Sequence, residues 1–393
     1  TMQFAEVLDK EGNFYIENLC SASATDVYIL NGEGEEVYEP HFTYHGFRYV
    51  HISEYPGEVR LENFKGIVIH SDMKATGSFV CSDSLINKLQ SNIIWSQKGN
   101  FFDIPTDCPQ RNERLGWTGD AQIFAATAAY NYDVSAFFTK WLKDLAVEQY
   151  SDGRLPNIVP NIMNGSRSSA AWSDVCIILP WTIYLVYNDK RILKEQYESM
   201  KSWVEYMRKR AGDKCLWIED NHFGDWMAFA STQPDYPGAT TDKDLIATAY
   251  YYYSTYLLSK IAEIIQKGED EITYSILSQK IKKSFNQEFV TPNGRLMSNT
   301  QTAYAIALSF GLLPDNILSK SSHVLAQDVA KFNHLTTGFV GTPLLCKALS
   351  DNGYKDLAYM ILMRKEYPSW LYPITKGATT IWERLNSYTK DNG

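Results

Sequence analysis

From about residue 84 to residue 390 the chain repeats the apolar pattern of amphipathic helices. In 190–210, one face is outlined at alternating steps of four and three by Leu193, Tyr197, Met200, Val204 and Met207. We count roughly eleven or twelve such segments, separated by clusters of Gly, Pro and Asn. No fixed sequence period links the segments, which disfavours a solenoid of repeats. Many unlike helix pairs, joined by loops that carry acids and aromatic residues, predict a closed α/α toroid with a site at one mouth.

The first 80 residues have a different pattern. Short β-branched and alternating runs at 26–30, 47–52 and 66–70 are typical of strands. We therefore expect part of a β-sandwich domain and a linker over 1–80, followed by a helical barrel over 81–393. The overall fold class is predicted to be mainly α.

Charge and hydropathy exclude several kinds of partner. The formal net charge is −9, so the chain lacks the basic surplus that nucleic acid or an anionic membrane would require. The longest apolar runs, such as 175–179, are far shorter than the roughly 20 residues of a membrane-spanning helix. The six cysteines form no C-x-x-C pair, which favours a reducing, cytoplasmic compartment. No signal peptide opens the chain, but Thr1 resembles a cut into a longer protein, so an extracytoplasmic location stays open.

The densest group of reactive side chains lies in 106–120, where Pro109, Gly116 and Gly119 prevent a single regular helix. Its charged and aromatic members are Asp107, Arg111, Glu113, Arg114, Trp117 and Asp120. Clustered carboxyl groups raise the pKa of at least one of them, which suits a general acid. The alternative is structural: Asp107 and Asp120 would cap helices, and Glu113 would pair with an arginine.

A second acidic segment is 376–384, which contains Glu383. Because Thr380 and Glu383 also fit a capping box, the residues alone leave capping and catalysis open. The pairs of Trp172 with Asp174 and of Asp225 with Trp226 are, taken singly, typical of a buried tryptophan beside a capping aspartate, and Trp370 is similar.

Other chemistries lack their sequence signals. The histidines have no H-E-x-x-H spacing, no G-x-S-x-G elbow is present, and neither a P-loop nor a dinucleotide fingerprint follows a strand. We therefore expect no metal and no cofactor.

The stretch 107–120, DCPQRNERLGWTGD, closely resembles the signature of bacterial α-L-rhamnosidases of glycoside hydrolase family 78. The stretch 377–383, GATTIWE, resembles a second signature of that family. Further similar pieces lie at 34–40, 44–49, 171–174, 243–250 and 336–342, so the resemblance covers nearly the whole chain.

The resemblance implies an (α/α)6 barrel preceded by β-sandwich domains, and hydrolysis of terminal α-L-rhamnose from glycosides or polysaccharides with inversion at the anomeric carbon. It implies that Glu113 is the general acid and Glu383 the general base, and that no metal is required. The residues expected to bind the carbohydrate substrate are Asp107, Arg111, Trp117, Asp120, Trp172, Trp226 and Trp370. A homo-oligomer is a further possibility.

Two departures from the family pattern affect the expectation. The sequence ends ten residues after Glu383, where the family continues with more of the barrel and a sugar-contacting Asn-His-Tyr stretch, so we expect a barrel truncated at its C-terminal end. Position 112 is Asn where relatives often have an acid. The alternatives are a barrel glycosidase for a different sugar, a non-catalytic carbohydrate-binding protein, and a helical scaffold for protein partners.

Overall fold

The computed structural model describes residues 1–165, 167–229 and 241–387. The predicted barrel range therefore includes positions 166, 230–240 and 388–393, which lie outside the described residues. Twelve α-helices lie within the described part. They are α1 Ser84–Asn100, α2 Thr118–Asn131, α3 Ser135–Val147, α4 Val175–Tyr187, α5 Lys190–Ala211, α6 Lys243–Ile264, α7 Gly268–Phe289, α8 Gln301–Ser309, α9 Asp315–Phe332, α10 Thr342–Asp351, α11 Lys355–Met363 and α12 Leu371–Thr375.

The helices form a ring of hairpins. Helices α2, α4, α6, α8 and α10 contact one another in succession, and α5, α7, α9 and α11 pack against their hairpin partners. The first helix, α1, packs against the last, α12, which brings the two ends of the helical region together. The expectation of a mainly α barrel is confirmed. Among the described residues, no helix has the length and apolar character needed to cross a membrane.

Helix α5 illustrates how the sequence pattern produces the ring. Asp189 begins the helix, since its side chain accepts hydrogen bonds from the amides of Arg191 and Ile192. All five residues of the predicted apolar face are buried, together with Trp203. Three basic residues in the last turn oppose the negative end of the helix dipole. The periodic face therefore decides which side of α5 packs into the core.

The β unit, residues 1–80, contains less regular structure than the sequence predicts. Strand β1 (Met2–Ala5) pairs antiparallel with β4 (Thr25–Asp26) and β5 (Tyr49–Ile52). Strands β2 (Val7–Leu8) and β3 (Phe14–Tyr15) form a separate pair, and β6 (Phe101–Phe102) with β7 (Ile104–Pro105) forms a hairpin after α1.

The strand predicted at 66–70 is wrong, and the one predicted at 26–30 is only partly formed. Residues 66–70 pair with no other described strand, and Ile67, Val68 and Ile69 are exposed. Val27 and Ile29 are exposed in the same way. A strand needs a hydrogen-bonded neighbour, and β-branched composition alone does not supply one.

The two buried aspartates beside tryptophans fix loops rather than cap helices. Asp174 accepts hydrogen bonds from the Trp203 indole, the Ser254 hydroxyl and the Ala171 amide. Its side chain therefore ties the start of α4 to α5 and α6, so the capping interpretation is wrong here.

Asp225 has an equivalent role in the chain between α5 and α6, where it binds α8 and the residues that precede α10. Its carboxylate accepts bonds from the amides of Gly338, Val340 and Gly341 and from the Thr302 hydroxyl. Burial raises the pKa of both Asp174 and Asp225. These bonds hold the chain next to Trp172 and Trp226 in place.

Candidate active site

The loop 106–117 is closed at its base by Asp107. The Asp107 carboxylate accepts a hydrogen bond from the Leu115 amide at 2.7 Å, and the Asp107 amide donates to the Leu115 carbonyl at 3.0 Å. Helix α2 starts only after this loop, with Trp117 as the residue that precedes it. Glu113 therefore stands on irregular backbone within this loop, which is consistent with the helix-breaking Pro109 and Gly116.

Glu113 is held by two donors. The Trp117 indole donates to its Oε1 at 2.7 Å, and Arg111 Nη2 lies 3.1 Å from its Oε2. Burial raises the pKa of Glu113, and the nearby carboxylates of Asp107 and Glu383 add to this effect, although the bonds from Trp117 and Arg111 oppose it. A carboxyl group with a raised pKa beside a cavity is what a general acid requires.

Glu383 lies on the loop that follows α12. No helix begins at Thr380 within the residues described through 387, so the capping-box alternative is wrong. Instead, α1 holds this loop: the Asn92 amide group donates to the Ala378 carbonyl at 2.9 Å, and Ser96 Oγ accepts from the Ile381 amide at 2.8 Å. The backbone up to Ile381 is thus fixed, while 56% of the Glu383 side chain remains exposed.

One arginine joins the two loops. Arg111 Nη1 lies 3.2 Å from Glu383 Oε2, and its Nη2 contacts Glu113 at 3.1 Å and Asp107 at 3.4 Å. The structure thereby brings Glu113 and Glu383 to the same cavity, which measures about 2540 Å³. It also brings Arg111 there, with its guanidinium directed at carboxylates.

The remaining two acids of the first segment lie in the same cavity. Asp107 follows β7 and precedes no helix, and Asp120 lies in the first turn of α2, after its cap. The capping interpretation is therefore wrong for both. Asp120 lines the cavity wall but is surrounded by protein atoms, and this burial, with the charge of Asp107, raises its pKa to about 8.

Aromatic side chains form one wall of the cavity. The Trp172 ring is buried, with its centroid 4.6 Å from that of Phe223 and 5.6 Å from that of Phe339. Gly119 permits this approach, since a Cβ at that position would lie 2.6 Å from the Trp172 indole nitrogen. Helix α2 and Trp172 can be this close only because position 119 lacks a side chain.

All four predicted tryptophans, Trp117, Trp172, Trp226 and Trp370, line this cavity. Trp226 is 41% exposed, and Trp370 is partly buried at the start of α12. Sequence reasoning missed Phe223 and Phe339 as members of the wall. Phe339 could have been found from its place in the stretch 336–342, which resembles the family. Phe223 could have been found from its place two residues before the pair of Asp225 and Trp226.

The β unit also reaches this cavity, which the sequence did not indicate. Glu6, Gly46 and Arg48 all line it. Burial raises the pKa of Glu6 to about 7, although Arg111 and Arg48 oppose this rise. The cavity is thus bounded by both the helical ring and the β unit.

Two family models match the chain. Residues 74–393 match the bacterial alpha-L-rhamnosidase 6 hairpin glycosidase domain, and residues 1–70 match the bacterial alpha-L-rhamnosidase concanavalin-like domain.

Curated relatives and solved structures give the same result. An alpha-L-rhamnosidase of Formosa agariphila is 43% identical to this chain, and the match covers 100% of this chain and 42% of that protein. An alpha-L-rhamnosidase of Streptomyces avermitilis is 42% identical, and the match covers 100% of this chain and 37% of that protein. The crystal structure of Streptomyces avermitilis alpha-L-rhamnosidase complexed with L-rhamnose matches with a TM-score of 0.92 at 41% identity, covering 100% of this chain and 37% of that one. The crystal structure of native alpha-L-rhamnosidase from Aspergillus terreus matches with a TM-score of 0.94 at 40% identity, covering 100% of this chain and 46% of that one.

The chain spans about two fifths of the length of these curated relatives. The matched helical domain nevertheless includes both carboxylate-bearing loops, and it accounts for most of the sequence. The chain belongs to the bacterial alpha-L-rhamnosidase family of six-hairpin glycosidases.

Proposed function

We propose that the protein to which this chain belongs is an inverting α-L-rhamnosidase that releases terminal rhamnose from glycosides or polysaccharides. The observation that carries the proposal is the pairing of Glu113 and Glu383 with one guanidinium in one cavity. Two carboxyl groups that face each other across a cavity are the minimum machinery of glycoside hydrolysis. The relative solved with L-rhamnose supports the choice of sugar.

In this mechanism Glu113, as the neutral acid, donates its proton to the glycosidic oxygen as the bond from that oxygen to C1 breaks. Glu383, as a carboxylate, accepts a proton from a water molecule that attacks C1 from the opposite face. The new C1–OH bond then has the inverted configuration, Glu113 is left ionised, and Glu383 is left protonated. The burial that raises the pKa of Glu113 favours the form in which it can act.

The transition state carries positive charge on the sugar ring, as an oxocarbenium ion does. Of the acidic groups around the cavity, Asp107 and the ionised Glu383 are suited to stabilise that charge, whereas Asp120 holds its proton below about pH 8. The oxygen atoms of Asp107 and Asp120 can also accept hydrogen bonds from sugar hydroxyl groups. The wall of Trp172, Phe223 and Phe339 offers a flat apolar surface to the sugar ring and its methyl group. Arg111 holds the two carboxylate-bearing loops together around this space.

Proton NMR of hydrolysis of an aryl α-L-rhamnoside by the full-length protein tests activity and stereochemistry together. We expect β-L-rhamnose to be the first product, because inversion of an α-glycoside gives the β-anomer. Early release of the α-anomer would contradict inversion. Binding of rhamnose without hydrolysis would favour the carbohydrate-binding alternative, and faster hydrolysis of an aryl β-D-glucoside would favour a different sugar.

A further inference from the structure

The end of the β1–β5 ladder lies against the candidate active site. Ala5 is paired with Tyr49, and the Arg48 amide donates to the Ala5 carbonyl at 2.8 Å. The ladder therefore presents Glu6 and Arg48 side by side, next to Gly46. All three residues line the cavity that contains Glu113 and Glu383.

Gly46 is in tight contact with the loop that carries Glu113. A Cβ at position 46 would lie 2.8 Å from Pro109 Cγ and 3.1 Å from Gln110 Cβ. The backbone of Gly46 is not in the left-handed region, so alanine could adopt its conformation. Glycine is needed here for close approach, because any side chain would have to displace the Pro109 loop.

Arg48 contacts the other loop. Its Nη1 donates to the Gly377 carbonyl at 3.4 Å, six residues before Glu383. The segment 44–48 thus touches both carboxylate-bearing loops, one through the Gly46 backbone and one through the Arg48 side chain.

Glu6 completes the contact between the β unit and the first loop. Its carboxyl group is hydrogen-bonded to the Gln110 side chain and faces the positive charges of Arg48 and Arg111. It is partly buried, and burial of a carboxylate costs free energy unless such partners are present. The contact therefore contains packing, hydrogen bonding and charge, all directed at the two loops.

We propose that segment 44–48 of the β unit is a positioning element that sets the gap between Glu113 and Glu383. Gly46 fixes the loop 106–117, which carries Glu113, and Arg48 fixes the loop after α12, which carries Glu383. The proposal rests on the proposed function, since it assigns the gap a role in inverting hydrolysis. Gly46 and Arg48 are positioning residues, because they act through the loops and not on the sugar. Catalysis by two carboxyl groups is sensitive to such displacements, and a shift of about 1 Å can lower the rate about 100-fold.

The test compares Gly46→Ala with Gly66→Ala in the full-length protein. Gly66 belongs to the same β unit, but a Cβ there would meet no atom within 4 Å. We expect Gly46→Ala to lower kcat on an aryl α-L-rhamnoside about 10-fold or more. Because the aromatic wall is untouched, the dissociation constant for L-rhamnose should change less than about threefold. Gly66→Ala should match the wild-type protein in both measurements.

Arg48→Gln supplies a second variant that adds no bulk, so it decides the matter if Gly46→Ala fails to fold. It should lower kcat several-fold, and Arg48→Lys, which keeps the charge and a donor, should recover part of the loss. Wild-type kcat in either folded variant would overturn the proposal, as would a rise in the rhamnose dissociation constant that accounts for the whole effect. An inactive wild-type protein would overturn the proposed function and this inference with it. If the wild-type protein is active, the variants test the positioning role alone.

Discussion

Arg111 Nη1 lies 3.2 Å from Glu383 Oε2, which joins two loops that are far apart in the sequence. The other terminal nitrogen of the same guanidinium contacts Glu113 and Asp107. The Arg111 side chain is 22% exposed and Asp107 is 8% exposed, so the pair with Asp107 is screened by solvent less than a surface pair is, whereas Glu383 is 56% exposed. The relative placement of the two candidate catalytic carboxyl groups therefore depends on a third residue that need not react.

Replacing either carboxyl group by an amide should abolish most of the activity. Glu113→Gln removes the proton donor and Glu383→Gln removes the proton acceptor, and general acid–base catalysis contributes about 100- to 10,000-fold. We expect kcat on an aryl α-L-rhamnoside to fall by that range in each variant while thermal unfolding is unchanged. Glu198→Gln on α5, where Glu198 is 79% exposed in its pair with Lys267, is the matched control and should retain full activity. Near-wild-type turnover by either site variant would refute the assigned roles.

Arg111→Gln should move the alkaline limb of the pH–rate profile to higher pH. The charge of Arg111 lowers the pKa of Glu113, so removing that charge raises this pKa further and keeps the acid protonated to a higher pH. At the same time kcat should fall about 10-fold, because the two loops lose their shared contact. The measurement is kcat/KM against pH.

Arg191→Gln, in an exposed ion pair on α5, is the control for charge removal and should leave the profile in place. A limb that stays where it is in Arg111→Gln, or that moves to lower pH, would mean that Glu113 does not set it.

Gly119→Ala should weaken sugar binding. The new methyl group would lie within 2.8 Å of three atoms of the Trp172 indole, so the ring must move away from α2 and disturb the aromatic wall. We expect the dissociation constant for L-rhamnose, measured by titration calorimetry, to rise about 10-fold. Gly268→Ala adds the same methyl group at the start of α7, where no atom lies within 4 Å, and should bind as the wild type does. Unchanged affinity in Gly119→Ala would show that Trp172 does not contact the sugar.

Asp120 should make the stability of the protein depend on pH. Its pKa is about 8 in the folded protein and near 3.8 when unperturbed, so between these values the folded state holds a proton that the unfolded state has released. The contribution of Asp120 to the free energy of unfolding is therefore fully present below about pH 4 and is lost as pH rises to about 8.

Asp120→Asn stays neutral throughout this range. The unfolding temperature of the variant minus that of the wild type should therefore increase as the pH rises from 4 to 8. Differential scanning calorimetry at several pH values measures this increase. Asp351→Asn, at an exposed site on α10, should run parallel to the wild type. If Asp120→Asn also runs parallel, the Asp120 carboxyl group is not desolvated in solution.

Helical periodicity predicted more of this fold than strand composition or a capping spacing did. The apolar face of α5 was predicted residue by residue, because helical periodicity is a local property that the core then preserves. The strand at 66–70 was not formed, because pairing depends on a neighbour that composition does not specify. The capping-box reading of Glu383 failed for a related reason: the Thr380–Glu383 spacing is local, but no helix follows it in the described residues.

The helical ring and the two acidic segments could be predicted from the order of the amino acids alone, because periodicity and motif are properties of neighbouring residues. Three contacts could be seen only in the folded chain: Arg111 faces Glu113 and Glu383 together, Phe223 and Phe339 flank Trp172, and Gly46 lies against Pro109. These contacts join residues from separate elements, and their distances follow from how the ring closes and how the β unit docks on it.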